Sequence, residues 1–173
     1  MDPPGAGPDN NDAKQATERA LRDSETRYRA ILDASLDGIV TIDERGIIES
    51  INPAGLRLFG YAAEELVGRN VNLLMPEPYR AEHDTYLRNY RATGRPRIIG
   101  IGREVVGLRK DGTTFPMDLG VSELKLSGPR GRRVFTGTVH DVTERKRAQE
   151  ALRENELRFR TIADTIPDRK SVV

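Results

Sequence analysis

Apolar residues alternate with polar ones in short stretches through the middle of the chain, as is typical of half-buried β-strands. The alternation predicts five strands, at residues 38–43, 47–51, 98–108, 115–126 and 134–142. The connections at 44–46 and 110–112 are short and glycine-containing, which suits antiparallel hairpins. The pattern therefore predicts a five-stranded antiparallel sheet.

A different periodicity lies between the second and third strands. It predicts small helices at 54–59 and 62–67 and a longer one at 79–93, which starts after two prolines and ends at a glycine. We expect one face of the long helix to contact the sheet, because its aromatic and apolar residues recur at helical spacing. These residues are Tyr79, His83, Tyr86, Leu87 and Tyr90. The fold class predicted is α+β, with small helices and one longer helix on one face of the sheet.

Polar amphipathic helices are predicted on both sides of this domain, which we place at residues 36–143. They cover 14–35 and 144–168, while 1–13 and 169–173 are expected to be a disordered tail and a short tail. Each helix has a weak heptad pattern that suits a homodimer formed through the terminal helices, although simple surface helices between neighbouring domains fit as well. The heptad positions are Leu21, Ser24, Tyr28 and Ile31, and Leu152, Asn155, Phe159 and Ile162.

The two terminal helices are related in sequence. Residues 20–37 match residues 151–168 at nine identical positions, at an offset of 131. Such a repeat predicts a tandem array in which the C-terminal helix opens a second copy of the unit. We therefore expect either a piece of a longer protein or a chain that has lost its second copy.

Composition narrows the function classes. The chain has 28 basic and 27 acidic residues, a net charge of +1, which argues against nucleic-acid binding. The absence of cysteine excludes disulfides, thiolate metal sites and cysteine-linked chromophores, and fits a reducing compartment. With no apolar run long enough for a membrane segment and no catalytic constellation, we expect a cytoplasmic, non-enzymatic domain.

The two histidines have different surroundings. His83 lies on the inward stripe of the long helix, where an imidazole needs a partner; it is either a core histidine bonded to a backbone carbonyl or a ligand. His140 alternates with threonines in the last strand, so we expect it to be exposed and structural. The sequence contains no cluster of metal-ligating residues at ligand spacing.

The third strand combines glycines with an arginine. Gly100, Gly102 and Gly107 indicate a bulge or the close approach of another group to the backbone. Arg103 alternates with Val105 and so shares an apolar face, where an unpaired guanidinium is costly. The alternative is a surface ion pair on the open side of the sheet.

The order of these elements resembles a PAS domain over residues 25–143. The segments that carry the resemblance read DGIVTIDERGIIESINPAGLRLFGYAAEELVGRNVNLLMP, RKDGTTFPMDLGVSEL and TGTVHDVTERKRAQEAL. A narrower similarity, to the haem-binding PAS domains of the rhizobial oxygen-sensing histidine kinases of the FixL family, lies in MPEPYRAEHDTYLRNYRATG and IIGIGREVVGLRKDGTTFPM.

The narrower resemblance implies haem b, held non-covalently between the long helix and the sheet. It makes His83 the iron ligand and Arg103 the residue that bonds bound oxygen. Arg97 stands where the family's reference member has a histidine near a propionate, and Asn89 where it has a propionate-binding arginine, so this network must differ. The other implied positions are Tyr86 beside the cofactor and Ile98, Leu119 and Val121 around the gas pocket.

The function implied is a sensory PAS module of a two-component signalling protein that senses O₂ or another diatomic gas. The signal would pass through the terminal helices to an effector domain or a tandem PAS domain, and a longer parent protein would be a histidine kinase. A cofactor-free PAS module for dimerisation and signal relay is the alternative, and a PAS domain for flavin or another small ligand is a third. His83 and Arg103 separate the first reading from the second.

Overall fold

The structure, a computed structural model, describes residues 10–93, 102–126 and 131–165. Its centre is a five-stranded sheet with the strand order β2-β1-β5-β4-β3, in which all neighbouring strands are antiparallel. The predicted antiparallel sheet is confirmed. The strands are β1 (Gly38–Asp43), β2 (Ile48–Ile51), β3 (Arg103–Leu108), β4 (Thr114–Leu126) and β5 (Arg132–Asp141).

Helices precede, interrupt and follow the sheet. The long helix between β2 and β3 has the predicted bounds, because proline and glycine residues define both of its ends. The helices are α1 (Asn10–Ala34), α2 (Pro53–Phe59), α3 (Ala63–Leu66), α4 (Tyr79–Thr93) and α5 (Thr143–Thr165), with a 3₁₀ helix at Val71–Leu74.

Most boundaries differ from the sequence-based ones by one residue, and the larger differences include those at the starts of β3, β5 and α1. The ordered ladder of β3 begins at Arg103, while residues 98–101 lie outside the described part of the chain. β5 begins two residues earlier than predicted, because Arg132 pairs with Leu126 through the backbone, for which an apolar side chain is not needed. α1 begins at Asn10 rather than at residue 14, and residues 1–9 are outside the described residues.

The core lies between the helices and one face of the sheet. The side chains that the helical segments bury are Phe59, Leu66, Val71 and Leu74. They pack against Val40, Ile42, Ile48, Phe115, Met117, Phe135 and Val139 of the sheet. Burial of each large side chain stabilises the fold by about 1.5–3 kcal/mol. The predicted α+β layer, with its helices on one face of the sheet, is confirmed.

Gly107 shows why β3 contains a glycine. A Cβ atom at this position would lie 2.6 Å from Cε1 of Phe115, closer than atoms can pack. The close approach indicated by the sequence is therefore made by a ring of the neighbouring strand. At Gly102 no atom of the described residues lies within 4 Å of such a Cβ, and Gly100 is not among these residues.

Asn52 joins α1 to the domain. Its buried side chain accepts hydrogen bonds from the backbone N–H of Ile39 (2.8 Å) and Gly55 (2.9 Å). Its amide nitrogen donates to the carbonyl oxygens of Leu32 (3.0 Å) and Asp37 (2.9 Å). One side chain thus fixes the start of α2, the start of β1 and the end of α1.

Asp141 holds the junction between β5 and α5. Its Oδ1 accepts a 2.8 Å hydrogen bond from the backbone N–H of Thr143, and its Oδ2 lies 3.0 Å from the Arg109 guanidinium. Arg109 in turn stacks over the ring of Phe115, 4.1 Å from its centroid. Partial burial would raise the pKa of Asp141, but the hydrogen bonds from Thr143 and the Arg109 cation outweigh it and lower this pKa. The start of α5 is therefore anchored by a carboxylate that stays ionised.

Acidification should weaken this anchor. The stabilisation from a lowered folded-state pKa is fully present above the ordinary value of 3.8 and is lost as the pH falls through the folded-state value. We expect Asp141→Asn to lower the free energy of unfolding by about 1 kcal/mol at neutral pH. Urea unfolding of both proteins at several pH values should show this difference shrinking below pH ~4. An equal difference at neutral and strongly acidic pH would contradict the assignment.

The terminal helices have exposed apolar side chains. Leu21 and Ile31 of α1 are 61% and 64% exposed, and Leu152 and Phe159 of α5 are 61% and 65% exposed. Neither α1 nor α5, nor any other helix of the described residues, is long and apolar enough to cross a lipid bilayer.

Candidate functional site

A cavity of about 450 Å³ lies between α4 and the inner face of the sheet. This volume falls in the range of roughly 300–1,000 Å³ that is typical of small-molecule and cofactor sites. Its walls are mostly apolar and are formed by both the helical segments and the sheet. The apolar lining includes Val40, Ile42, Val71, Met75, Leu87, Val105, Met117, Leu119, Val121 and Phe135.

The cavity brings together six of the eight residues singled out in the sequence. α4 contributes His83, Tyr86 and Asn89 from one side, and β3 contributes Arg103 from the other. β4 contributes the remaining two, Leu119 and Val121. The other two, Arg97 and Ile98, lie outside the described residues. The aromatic stripe of α4 faces this cavity, as its spacing predicts.

His83 lies at the cavity wall with its ring partly buried. Its Nδ1 atom is buried and has no hydrogen-bond partner among the described residues, so this atom does not form the carbonyl bond that a core histidine would make. Burial lowers the pKa of His83 from its ordinary value; the Asp84 carboxylate opposes this shift, and the Arg103 guanidinium adds to it. The imidazole is therefore held neutral near neutral pH, the form in which it can act as a metal ligand.

Arg103 and its neighbour Glu104 lie on opposite faces of β3. Arg103 lines the cavity, where its charge acts on His83, although the residue as a whole is exposed to solvent. Glu104 forms an ion pair with Lys146 in the first turns of α5, and Asp118 on β4 forms another with Arg145 at 3.1 Å. The surface ion pair considered for Arg103 is thus made by the next residue along the strand.

His140 lies on the outer face of the sheet, away from the cavity. Its side chain is 61% exposed, and its Nδ1 is 2.6 Å from Oδ1 of Asp37. The exposed position expected from the threonine alternation is confirmed. Among the described residues, no three acidic or histidine side chains are grouped so that they could hold a metal ion.

Two further residues of this region, Tyr90 and Glu123, were not assigned to a site from the sequence. Tyr90 lines the cavity, and its hydroxyl donates a 2.7 Å hydrogen bond to Oε2 of Glu123. Glu123 follows Leu119 and Val121 at alternate positions of β4, so its inward direction could have been inferred from the strand period. Its contact with α4, which is 33 residues away in the chain, could not be inferred in this way.

The amino-acid sequence is similar to one protein family and to signalling proteins of two bacteria. The model of the PAS family, described as the PAS fold, matches residues 26–142. The sensor protein FixL of Bradyrhizobium diazoefficiens is 49% identical over 143 residues, which cover 83% of this chain and 28% of that protein. The cell-division control histidine kinase PdhS of Brucella anthropi is 35% identical over 83% of this chain and 13% of that protein. The chain thus spans less than a third of the length of either relative.

Solved structures show the same fold. The PAS domain of an HTR-like protein from Haloarcula marismortui superposes with a TM-score of 0.59 at 23% identity, over 73% of this chain and 98% of that one. An RNA-binding Light-Oxygen-Voltage receptor superposes with a TM-score of 0.58 at 25% identity, over 90% of this chain and 41% of that one. The arrangement of sheet, small helices and α4 is therefore that of these domains.

Proposed function

The chain belongs to the PAS family, and from this premise we propose that it is a sensory module whose cavity binds haem b and responds to O₂ or another diatomic gas. The binding would be non-covalent, between α4 and the sheet. The similarity to the sensor protein FixL supports this proposal, as does the distribution of polar groups around an otherwise apolar cavity.

The observation that supports the proposal most directly is the protonation and burial of the His83 imidazole. Its imidazole is held neutral at the wall of an apolar cavity, and one ring nitrogen is buried with no hydrogen-bond partner in the described part of the chain. A buried polar atom without a partner is costly, so the missing hydrogen bond argues against a purely structural core histidine at this position. Haem would bring most of its iron's ligands itself, so a single protein ligand, the imidazole of His83, would be enough to hold it.

The polar groups beside His83 would hold the acidic edge of the cofactor. Tyr86 and Asn89 lie on the same side of the cavity, but the Tyr86 hydroxyl already donates a 2.8 Å hydrogen bond to Oε2 of Glu82. Arg97, at the position that the family resemblance implies, would add a positive charge. An asparagine amide donates hydrogen bonds but carries no charge. Arg97 would therefore supply the ionic part of the propionate contacts.

Arg103 would determine which gas is favoured. When bound, haem b supplies a ferrous iron with an open position for a diatomic gas. A guanidinium at the cavity wall stabilises negative charge that develops there, which favours O₂ over CO. Leu119 and Val121, with Ile98, would exclude water from the same space.

The signal would leave the domain through α1 and α5. Both helices have exposed apolar side chains that suit a homodimer, and the start of α5 is bound to β3 and β4 by ion pairs. The output would be an effector domain or a tandem PAS domain of a longer two-component protein, a sensor histidine kinase like the named relatives. The sequence repeat at α5 supports the tandem arrangement.

Reconstitution tests the proposed function. The full chain is titrated with haemin and followed by its absorption spectrum. We expect saturable uptake of one haemin per chain, a strong Soret band, and a shift of this band when O₂ or CO is added after reduction. A chain that shows no Soret band once unbound haemin has been removed would overturn the proposal. It would favour the cofactor-free relay module, for which the exposed terminal helices would suffice.

Removal of the Arg103 side chain should weaken O₂ binding. We expect Arg103→Ala to lose about 1–3 kcal/mol of O₂ affinity, equivalent to about 5- to 150-fold in Kd, because a charged hydrogen-bond donor is lost. Arg103→Lys keeps the charge without the planar fork and should lose less. CO affinity, measured by the same spectral titration, should change little in either variant. An O₂ affinity equal to that of the wild type in Arg103→Ala would remove Arg103 from this role.

A further inference from the structure

Both halves of α4 form side-chain hydrogen bonds with the rest of the domain. In its first half, Arg80 donates a 3.3 Å hydrogen bond to the carbonyl oxygen of Asn72, and Asp84 accepts one of 3.3 Å from Asn70. These contacts reach only the 3₁₀ segment. In its second half, the hydroxyl of Tyr90 reaches across to the sheet.

The contact between Tyr90 and the sheet has several components. The hydroxyl donates to Oε2 of Glu123 at 2.7 Å, and the ring packs edge-on against Phe135, with centroids 5.7 Å apart. Glu123 is 15% exposed, and its other oxygen is buried, 3.7 Å from Nε of Arg133. The hydrogen bond to Glu123 raises the pKa of Tyr90, so the hydroxyl remains a donor over the ordinary pH range. The bond is thus charge-assisted, partly shielded from water and independent of pH near neutrality.

The position of this bond relative to the cavity gives it a role. Tyr90 lines the cavity from α4 and lies seven residues after His83, on the same helical face. Glu123 follows the cavity-lining positions Leu119 and Val121 on β4. Any separation of the second half of α4 from β4 must therefore break the bond between Tyr90 and Glu123.

We propose that the Tyr90–Glu123 hydrogen bond is a clamp that holds α4 against the sheet, positions His83, and limits the rate at which the cofactor leaves the cavity. The inference rests on the proposed function, since it concerns the retention of the same cofactor. Tyr90 is a positioning residue in this scheme, because it acts through the helix that carries His83.

The test combines cofactor release with the motion of α4. Tyr90→Phe keeps the ring contact with Phe135 and removes only the hydroxyl. We expect haemin release from the full chain, followed by transfer to an excess of apomyoglobin, to accelerate about tenfold or more. Glu123→Gln keeps an acceptor oxygen without the charge and should give an intermediate rate. Tyr61→Phe makes the same chemical change outside the cavity lining and should release haemin at the wild-type rate.

A second readout separates the clamp from the proposed function. In the cofactor-free chain, amide hydrogen exchange in the second half of α4 should be faster in Tyr90→Phe than in the wild type, while exchange in β1 and β5 stays the same. Wild-type exchange and wild-type haemin release in Tyr90→Phe would overturn the clamp. A wild-type chain that takes up no haemin would overturn the proposed function instead, and the exchange measurement would still decide whether the clamp exists.

Discussion

His83→Ala should abolish the strong Soret band of the haemin-reconstituted chain and leave at most a weak, shifted absorption. The substitution removes the one imidazole at the cavity wall, whose buried Nδ1 has no partner within the described structure. It leaves the apolar walls in place, so haemin retained without an axial protein ligand should give only a weak and shifted spectrum. Absorption of wild-type and variant protein at equal haemin concentration measures the effect. Adding free imidazole to His83→Gly should restore part of the band, because the truncated side chain leaves space for it.

The chain contains a matched control for this experiment. His140 is the only other histidine, and it lies on the outer face of the sheet, paired with Asp37. His140→Ala should therefore take up haemin with the wild-type spectrum. An unaltered Soret band in His83→Ala, or its loss in His140→Ala, would show that the iron ligand has been assigned wrongly.

Asn52→Ala should give the largest loss of stability among single polar substitutions. It removes four hydrogen bonds and leaves the N–H groups of Ile39 and Gly55 without the side-chain acceptor, while the carbonyls of Leu32 and Asp37 each keep a hydrogen bond from Ser35. Because unsatisfied buried groups cost more than a hydrogen bond contributes, we expect the free energy of unfolding to fall by about 3–4 kcal/mol. Thermal unfolding followed by circular dichroism should show Tm lower by roughly 10 °C.

Asn70 is the comparison residue for Asn52. Its side chain also accepts a hydrogen bond at a helix start, from the backbone N–H of Asn72 at 2.9 Å, but it makes fewer bonds in a less buried position. Asn70→Ala should cost about 1 kcal/mol, the usual value for loss of a cap. Equal destabilisation by the two substitutions would mean that the bonds from Asn52 to the end of α1 contribute nothing.

Local sequence patterns predicted most of the helices and strands, because the ends and faces of these elements depend mainly on residues close together in the chain. The proline and glycine residues around α4 fix its ends, and its 3.6-residue spacing fixes the face that contacts the sheet. Strand alternation predicted that Arg103 and Val105 share one face of β3, and both line the cavity, but so does Val106 of the opposite alternation, and Arg103 is exposed. It failed at the start of β5, where backbone pairing continues through the charged residues Arg132 and Arg133.

The parts that could not be predicted depend on partners distant in the chain. Nothing near Asn52 in sequence indicates that its amide bonds Leu32, which lies 20 residues earlier. The same holds for Arg109 and Asp141, which are 32 residues apart, and for Tyr90 and Glu123. Each of these contacts joins residues from different elements of the fold, so no periodicity within one element predicts it.

The anchoring of α5 at one end has a mechanical consequence. The helix has 23 residues, which at about 1.5 Å per residue makes a lever arm of about 34 Å. It is held near its start, through Asp141, Arg145 and Lys146. A rotation of about 5° at this pivot would displace the free end by about 3 Å, more than the 1–2 Å shifts by which helices commonly switch subunit interfaces. In the proposed sensory module, a small adjustment at the edge of the sheet would thus be magnified into a movement large enough for an attached domain to register.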